Sequence, residues 1–420
     1  MAKGGVDGTP LRVTRDAVIR FLLGAQHLAH DGARAAAGIA PTPAAVLREI
    51  RHLECVQIDP VSVVERNQHL VLAARLRGYL PRTLGELLRR RRLFEYWANA
   101  ACVVPIEDYP TFEGTRRRYR ARLAADLTAL RSVVRRIFAD IDARGPLTAR
   151  AFVSDHRVRG AWDLGDPKTK ATSHALSLLL KTGDILVVKR EGLERYFDLP
   201  ERTVPAALMR QARAISADNA DTLMLEKYLR AYRLFDAGDP RFGWRRTTAA
   251  ARRGILQRYV RAGAVVPLLI DGVGRQYFVR AQDVDDLQRH ERAAGSQTAP
   301  GDDARVRFLA PLDNLLWRRS RLKDLFRFEY TWEVYLPPRK RRYGHYAMPI
   351  LFGDRLIGRL DPHLDREERR LVIRLLHLEP QVRPTGQLRR ALRAALESFA
   401  RFHGAAGLDI GRTVPAGLRL

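Results

Sequence analysis

In Cys55-Val56-Gln57-Ile58-Asp59-Pro60 an amide and a carboxylate alternate with apolar side chains. Alternate residues of an extended segment point to one face, so a strand here sets Gln57 beside Asp59 and turns Val56 and Ile58 away. A carboxylate next to a neutral amide suits general-base work, or electrostatic stabilisation of a developing positive charge. Asp59-Pro60 also has a plainer use, because aspartate before proline commonly makes a turn and caps the next helix. The run VSVVERNQH follows directly, and Gln68 and His69 lie one turn into the helix expected there. They are candidates for the same pocket, and equally for a polar helix face.

The elements needed to hold these residues are legible around them. Apolar residues recur at helical spacing from Thr14 to Ala29, with Thr14 as N-cap, and again from Thr42 to Leu53. The motif strand follows, then a helix from about Val64 to Leu76 and another from Pro81 through Leu88. From Ile106 to Ile141 breakers are few, which predicts long helical structure ending at Gly145-Pro146. Beyond it the cadence changes. A short helix near Thr148 to Ser154 leads into GAWDLGDPKTK; a helix over Lys168 to Lys181 then precedes strands Ile185 to Lys189 and Arg195 to Leu199, the order of a winged helix. It comes again: Ala206 to Phe235 reads as helical, and a helix from Thr247 to Ala262 precedes paired strands Ala264 to Ile270 and Arg275 to Arg280. A polar linker spans His290 to Asp303. Short strands follow, among them FRFEYTWEVYL with Phe328, Tyr330, Trp332 and Val334 alternating, and suit a small antiparallel barrel. An amphipathic helix over about Gly386 to Phe402 closes the chain. The expected class is α+β, with tandem winged-helix units and a C-terminal small β-barrel. The expected domains are a first winged-helix unit with the motif and a long helical segment at 10–145, further winged-helix units at 146–205 and 206–290, the barrel at 304–380, and a C-terminal helix and tail at 381–420.

Charge narrows the partner. The 420 residues carry 74 Lys+Arg against 47 Asp+Glu, a formal net charge of +27, at which nucleic acid becomes the expected partner. Eight of the 74 are lysine, so the excess is guanidinium, the better bidentate partner for phosphate. A GC-rich genome would also raise arginine, but does not account for so large an uncompensated excess. Cys55 and Cys102, with no CxxC spacing, fit small core residues in a reducing compartment rather than a disulfide framework or zinc site. MAKGGVDGTP has no apolar signal core, and runs such as Val265 to Ile270 are too short to span a bilayer. A cytoplasmic, nucleoid-associated protein with no membrane partner is expected, as a monomer. His27 and His30 are too few for a metal site and no Gly-rich phosphate loop is present, so no metal and no cofactor are expected.

The blocks VQIDPVSVVERNQHLVLAARL, FEYWANAACVVP, YFDLPERTVP and LAPLDNLLWRRSRLKDLFRFEYTWEVYLPPRKRRYGHYAMPILFGDRLIGRLD resemble the winged-helix DNA glycosylase family typified by AlkZ and YcaQ, in order and over about residues 14 to 375. The resemblance implies three tandem winged helices and a terminal β-barrel around a DNA channel. It implies hydrolysis of the N-glycosidic bond of alkylated purines, including unhooking of interstrand crosslinks, on double-stranded DNA carrying such lesions. Gln57-Ile58-Asp59 matches the YcaQ-like Gln-apolar-Asp form of the family's motif, which carries catalysis onto Gln57 and Asp59. Asn99 stands where the family pattern has histidine, and His363 where it has lysine.

DNA contacts are expected from Lys168, Lys170, Thr172, Ser173 and His174 at the start of the second unit's recognition helix, where a helix N-terminus favours phosphate. Lys189 and Arg190 at the wing tip, and Arg245, Arg246, Arg252 and Arg253 in the third unit, are the companion candidates; Arg89 to Arg92 and Arg116 to Arg118 read equally as solvated helix faces. Phe94, Tyr96 and Trp97 have the types that stack on a displaced base, though their alternation with apolar neighbours also describes core. Tyr330, Trp332 and Tyr335 are expected inside the barrel. The rival to a glycosylase is a winged-helix DNA-binding regulator without catalysis. A metal-dependent nuclease is disfavoured by the sparse carboxylate and histidine clusters.

Overall fold

The computed structural model describes residues 8–29, 41–160, 163, 166–293 and 305–418. His30, parts of GAWDLG and most of the expected linker lie outside them. The chain divides into two compact units, each built from separated stretches. The first takes the described residues of Met1–Pro41, Val56–Leu80 and Tyr228–Leu420, the second Thr42–Cys55 and Pro81–Lys227.

In the first unit Thr14 caps the helix Arg15–Ala25, accepting from Ala17 N, and its backbone and hydroxyl both donate to Glu291 at 2.9 Å. Val18, Phe21 and Leu22 on the inner face of that helix are buried, the stripe an amphipathic helix requires. Strand Leu11–Val13 runs parallel to Val265–Ile270, which pairs antiparallel with Tyr277–Arg280, and Leu234–Phe235 completes the four-stranded sheet. The helix Ala249–Arg261, capped by Thr248, precedes the hairpin. One apolar core, with Phe21, Leu268, Tyr277, Leu315, Leu322 and Leu351 among its members, binds this sheet to the rest of the unit.

The other sheet of the first unit has five strands in the order Val306–Phe308, Met348–Phe352, Arg355–Asp365, Arg370–Leu378 and Gly407–Val414. The sequence predicts a small barrel here; among the described residues the sheet is open. Its edges explain why. Val306–Phe308 pairs over only three residues, and the chain returns through the helix Gly386–Phe402 so that the last strand joins parallel to Arg370–Leu378, as a crossover connection dictates. That helix turns Leu388, Leu392, Leu396 and Ala400 inward. FRFEYTWEVYL is not a strand either. Phe326 ends the helix Arg319–Phe326, the residues from Arg327 to Trp332 are irregular, and Glu333–Tyr335 is one 3-10 turn. The alternation marks burial instead, because Phe328 and Tyr330 are buried, with the Tyr330 hydroxyl donating to the Ala347 carbonyl at 2.7 Å, while Tyr335 points out to solvent.

In the second unit Thr42 caps the helix Pro43–Leu53, and the aromatic block folds as the antiparallel pair Leu93–Trp97 and Ala101–Pro105. The breaker-poor stretch becomes a 3-10 turn, Ile106–Phe112, and the helices Glu113–Ala129 and Arg131–Arg144. Gly145 ends them at φ 80°, where any other residue would be strained. Only one turn, Ala149–Ala151, stands where a short helix is expected. The helix Ala171–Thr182 then precedes the hairpin Leu186–Glu191 and Glu194–Asp198. It begins three residues late because Thr169–Lys170 pairs with Arg157–Val158.

A buried cation fixes the second unit's centre. Lys227 Nζ donates to Glu54 at 2.8 Å and Asp108 at 2.6 Å with its own side chain wholly inaccessible. Burial raises the Asp108 pKa and the Lys227 charge opposes that rise. Replacing Lys227 with methionine therefore strands two carboxylates, at a cost of about 3–5 kcal/mol at neutral pH. Without the cation the Asp108 carboxyl, already raised by burial, titrates further above its unfolded value, so stability recovers as pH falls and it protonates. Thermal unfolding of Lys227→Met between pH 7.5 and 5 checks both signs against wild type.

Candidate active site

Val56 and Gln57 are extended and buried, and there the strand stops. Asp59 stops it. Its Oδ1 accepts from Val61 N at 2.8 Å, closing an Asx turn around Pro60 that a continuing strand would forbid. The expected turn is present, but it caps no helix. Asn67–Ala73 starts well downstream, with Arg66 at its N-cap and no side-chain cap bond, and is shorter than the predicted helix from Val64 to Leu76.

That helix is held at both ends by the same distant loop. Asn67 Nδ2 donates to the Gln57 carbonyl at 2.9 Å, and its Oδ1 accepts from Leu312 N at 3.0 Å. Beyond the other end, Arg75 meets Asp313 with two bonds of 2.6 and 2.9 Å. Neither side chain of that pair has any accessible surface. Asn67 carried no signal of its own in the sequence beyond its place before Gln68 and His69, yet it suspends the motif strand.

The side chains around this frame divide by charge. Burial lifts the half-buried Asp59 carboxyl above the ordinary carboxylate range, and the bond from Val61 only partly offsets this. Its second oxygen has no protein partner among the described residues. His69 is buried, shares a 2.9 Å hydrogen bond between Nδ1 and the Tyr79 hydroxyl, and has its pKa pulled to about 3 by burial and by Arg66. Gln68 is buried with its amide oxygen unpartnered. Tyr346 is buried too, and burial together with the charges of Asp59 and Glu65 raises its phenol pKa. It therefore stays protonated and lies within electrostatic reach of the motif turn.

Two carboxylates position Tyr346. Asp361 accepts from Tyr346 N at 2.8 Å, and Glu333 Oε2 accepts from Tyr343 N at 2.8 Å and Gly344 N at 3.1 Å. Gly344 sits at φ 118°, and a Cβ there would come within 2.2 Å of the Asp361 carboxyl carbon. Arg366 reaches from the neighbouring hairpin to the Val64 carbonyl at 3.3 Å. None of these residues stood out by type or spacing. His363, two residues after Asp361, is half-buried in the same strand, and Asn99 in the second unit is half-buried at the turn of its hairpin. Among the described residues no group of three His, Cys, Asp or Glu side chains is placed to hold a metal, and no helix is long and apolar enough to cross a membrane.

The candidate DNA contacts separate into free and committed groups. Lys168, Lys170 and Ser173 are exposed, with Lys170 at the N-cap rather than inside the helix, and His174 is half-buried. Thr172 faces inward, its hydroxyl donating to the Phe152 carbonyl at 3.4 Å. Lys189 pairs with Glu191, and Arg190 is doubly bonded to Glu95, the longer bond 2.7 Å. In the first unit Arg246 and Arg253 are exposed and Arg245 half-buried, while Arg252 is buried and donates to the Ala237 and Thr247 carbonyls. Arg89 to Arg92 are exposed, Arg116 is wholly buried, and Phe94 and Tyr96 are core. Trp97 is half-buried.

A family model for AlkZ-like DNA glycosylases matches residues 50–402. Among solved structures the fold is similar to that of the Streptomyces sahachiroi DNA glycosylase AlkZ, with a TM-score of 0.61 over 96% of this chain and 100% of that one, at 17% identity. At that identity the likeness speaks to the fold.

A neutral His69 makes the first unit acid-sensitive. The unfolded chain protonates its histidine near pH 6.5, whereas folded His69 resists to about 3, so stability is present above 6.5 and drains as pH falls through that window. The loss should reach a few kcal/mol. His69→Gln should flatten the fall of Tm between pH 6.5 and 4, a slope that calorimetry reads directly.

Proposed function

The chain belongs to the AlkZ-like DNA glycosylase family, and from that premise we propose that it hydrolyses the N-glycosidic bond of alkylated purines, above all N7-alkylguanine, and unhooks interstrand crosslinks built on that linkage. Alkylation at N7 puts positive charge on the base and makes it a good leaving group. The sugar then departs with oxocarbenium character, and the protein must supply placement and negative charge. Asp59 is the catalytic carboxylate, stabilising the cation and orienting or deprotonating the attacking water. Gln57 holds the water or the deoxyribose through its amide.

The observation that carries this reading is the state of Asp59. One oxygen is fixed by Val61 N, the other has no protein partner among the described residues, and burial moves the pKa towards that of a working base. Gln68 supports it with a buried amide oxygen that has no protein donor. His69, neutral and bonded to Tyr79, orders the helix rather than exchanging protons. The segment from Cys55 to His69 contains no lysine to form a Schiff base, so the enzyme is monofunctional and leaves an abasic site in an intact strand. We read the helix Ala171–Thr182 with its hairpin, and Ala249–Arg261 with its own, as winged-helix units that grip duplex DNA. Lys168, Lys170, Ser173, Arg246 and Arg253 are the phosphate contacts; Thr172, Arg190 and Arg252 are spent on the fold.

The test uses Asp59→Asn, whose amide oxygen can still accept from Val61 N. Thermal stability and affinity for undamaged duplex should stay at wild-type values, while release of N7-methylguanine falls by about 10²- to 10³-fold. Wild type should turn both a methylated and a crosslinked duplex into alkali-labile DNA with no break before alkali, and without added metal. Its single-turnover rate should fall on the acid side through a pKa above the usual aspartate value, because protonated Asp59 neither attracts a cation nor accepts a proton. Full base release by the asparagine variant would sink the role of Asp59, and strand breakage before alkali would sink monofunctionality.

A further inference from the structure

Of the large hydrophobic side chains exposed among the described residues, Tyr335, at 79%, is the only aromatic one. It sits on the loop EVYLPPRKRRYG, which after Glu333 carries four consecutive cations, Arg339, Lys340, Arg341 and Arg342, and no acid. The loop is stiff. Glu333 closes it from inside by accepting from Tyr343 N and Gly344 N. Arg341 Nε donates back to the Leu336 carbonyl at 2.8 Å, Arg342 lies over the Tyr343 ring at 4.9 Å, and Pro337 and Pro338 restrict the crown. Arg339 and Lys340 remain exposed, and neither has an acidic partner among the described residues.

A tyrosine on a slack loop would be ordinary surface. This one is propped edge-on against Trp332 at 5.7 Å, and Trp332 against Tyr346 at 6.0 Å. Tyr346 in turn lies within the electrostatic reach of Asp59. A row of three rings thus leads from the motif turn to a solvent-facing aromatic beside two unpaired cations. An exposed π-face with adjacent positive charge is the pairing that single-stranded or unstacked nucleic acid recognises, because every base offers a face and every nucleotide a phosphate.

We propose that this loop is a DNA wedge serving the Asp59 site: Tyr335 stacks on a nucleobase exposed where the duplex opens at the damaged nucleotide, and Arg339 and Lys340 hold the flanking phosphates. The inference rests on the glycosylase reading for its substrate. Stacking on any base makes the wedge tolerant of sequence, and the packed row Tyr335, Trp332, Tyr346 ties duplex opening to the side of the molecule that carries the motif.

The experiment uses the full chain and a synthetic duplex with one N7-methylguanine and 2-aminopurine beside it, read by anisotropy, 2-aminopurine fluorescence and single-turnover base release. Tyr335→Ala should bind this duplex roughly ten- to a hundredfold more weakly and lose the fluorescence change, while Tyr335→Trp retains both. Arg339→Ala with Lys340→Ala should lower affinity for every sequence and flatten the plot of log affinity against log salt by about two. Wild-type affinity and fluorescence in Tyr335→Ala would overturn the wedge. Base release by wild type is scored in the same tubes, so its absence would condemn the glycosylase reading while binding and fluorescence still decide the wedge.

Discussion

Everything near the motif hangs on the fastening of one seven-residue helix, Asn67–Ala73, to Leu312 and Asp313. A fully buried ion pair is poor evidence of stability by itself, since desolvation of both charges offsets most of the attraction. Here the remaining bonding capacity is used. Arg75 also donates to the Gln26 and Val71 carbonyls, and Asp313 also accepts from Leu315 N at 2.9 Å. What the pair supplies is register. With Arg75 locked to Asp313 and Asn67 to Leu312, the helix has one position relative to that loop, and Gln57, whose carbonyl is bonded to Asn67, has one position relative to the helix. The blocks VQIDP…RNQH and LAPLDN, so far apart in the chain, are thus two halves of one clamp.

Arginine has two trades in this protein, and charge counting does not distinguish them. Arg321 is wholly buried and bonds the Tyr232, Leu234 and Leu315 carbonyls. Arg252 does the same for two carbonyls, Arg318 grips Asp236 with two bonds of 2.8 Å, and Arg116 packs over the Tyr109 ring at 3.8 Å while bonded to Glu113. A planar fork with five donors satisfies several backbone acceptors at once, which a lysine cannot. A good share of the arginine excess is therefore internal carpentry. The net charge of +27 still favours an anionic partner, but the surface that meets it is narrower than the composition implies.

This bears on what the sequence could reveal. The helices read over Thr42 to Leu53 and Gly386 to Phe402 were legible almost to the residue, and the one behind the Thr14 cap began as expected but ends at Ala25 rather than Ala29, because cap and apolar stripe are local signals. Pairings decided at a distance were not. Ile58 and Asp59 alternate like a strand, yet one side-chain bond to Val61 ends it. Phe328, Tyr330 and Trp332 alternate as well, yet the segment is held by the Tyr330 hydroxyl on Ala347 and by Glu333 on the Tyr343 and Gly344 amides, none of which a period-two pattern encodes. The barrel failed for a similar reason, since the parallel strand Gly407–Val414 alternates only at Leu408 and Ile410 before Gly411 and Arg412 interrupt it. At the candidate site, Gln57 and Asp59 were visible as types in context, while Asn67, Tyr346 and Asp361 acquire meaning only through their bonds.

The division of charge around the motif sets what the proposed reaction can distinguish. His69 is neutral, Tyr79 and Tyr346 are protonated, and Gln57, Asn67 and Gln68 are amides, so the negative charge beside the Asx turn comes from Asp59 and Glu65, with the cations Arg66 and Arg366 held nearby on the helix N-cap and the Val64 carbonyl. A carboxylate such as Asp59 in a strongly positive protein has opposite preferences for the two parts of a damaged nucleotide. Phosphates are drawn to the cationic surface and repelled from Asp59, whereas a base made cationic by alkylation is attracted to it. A neutral guanine gains nothing from the carboxylates and departs as a poor leaving group. Affinity would then come from the backbone, which every DNA shares, and selectivity from a charge that only the lesion carries, at binding and again as the oxocarbenium ion forms.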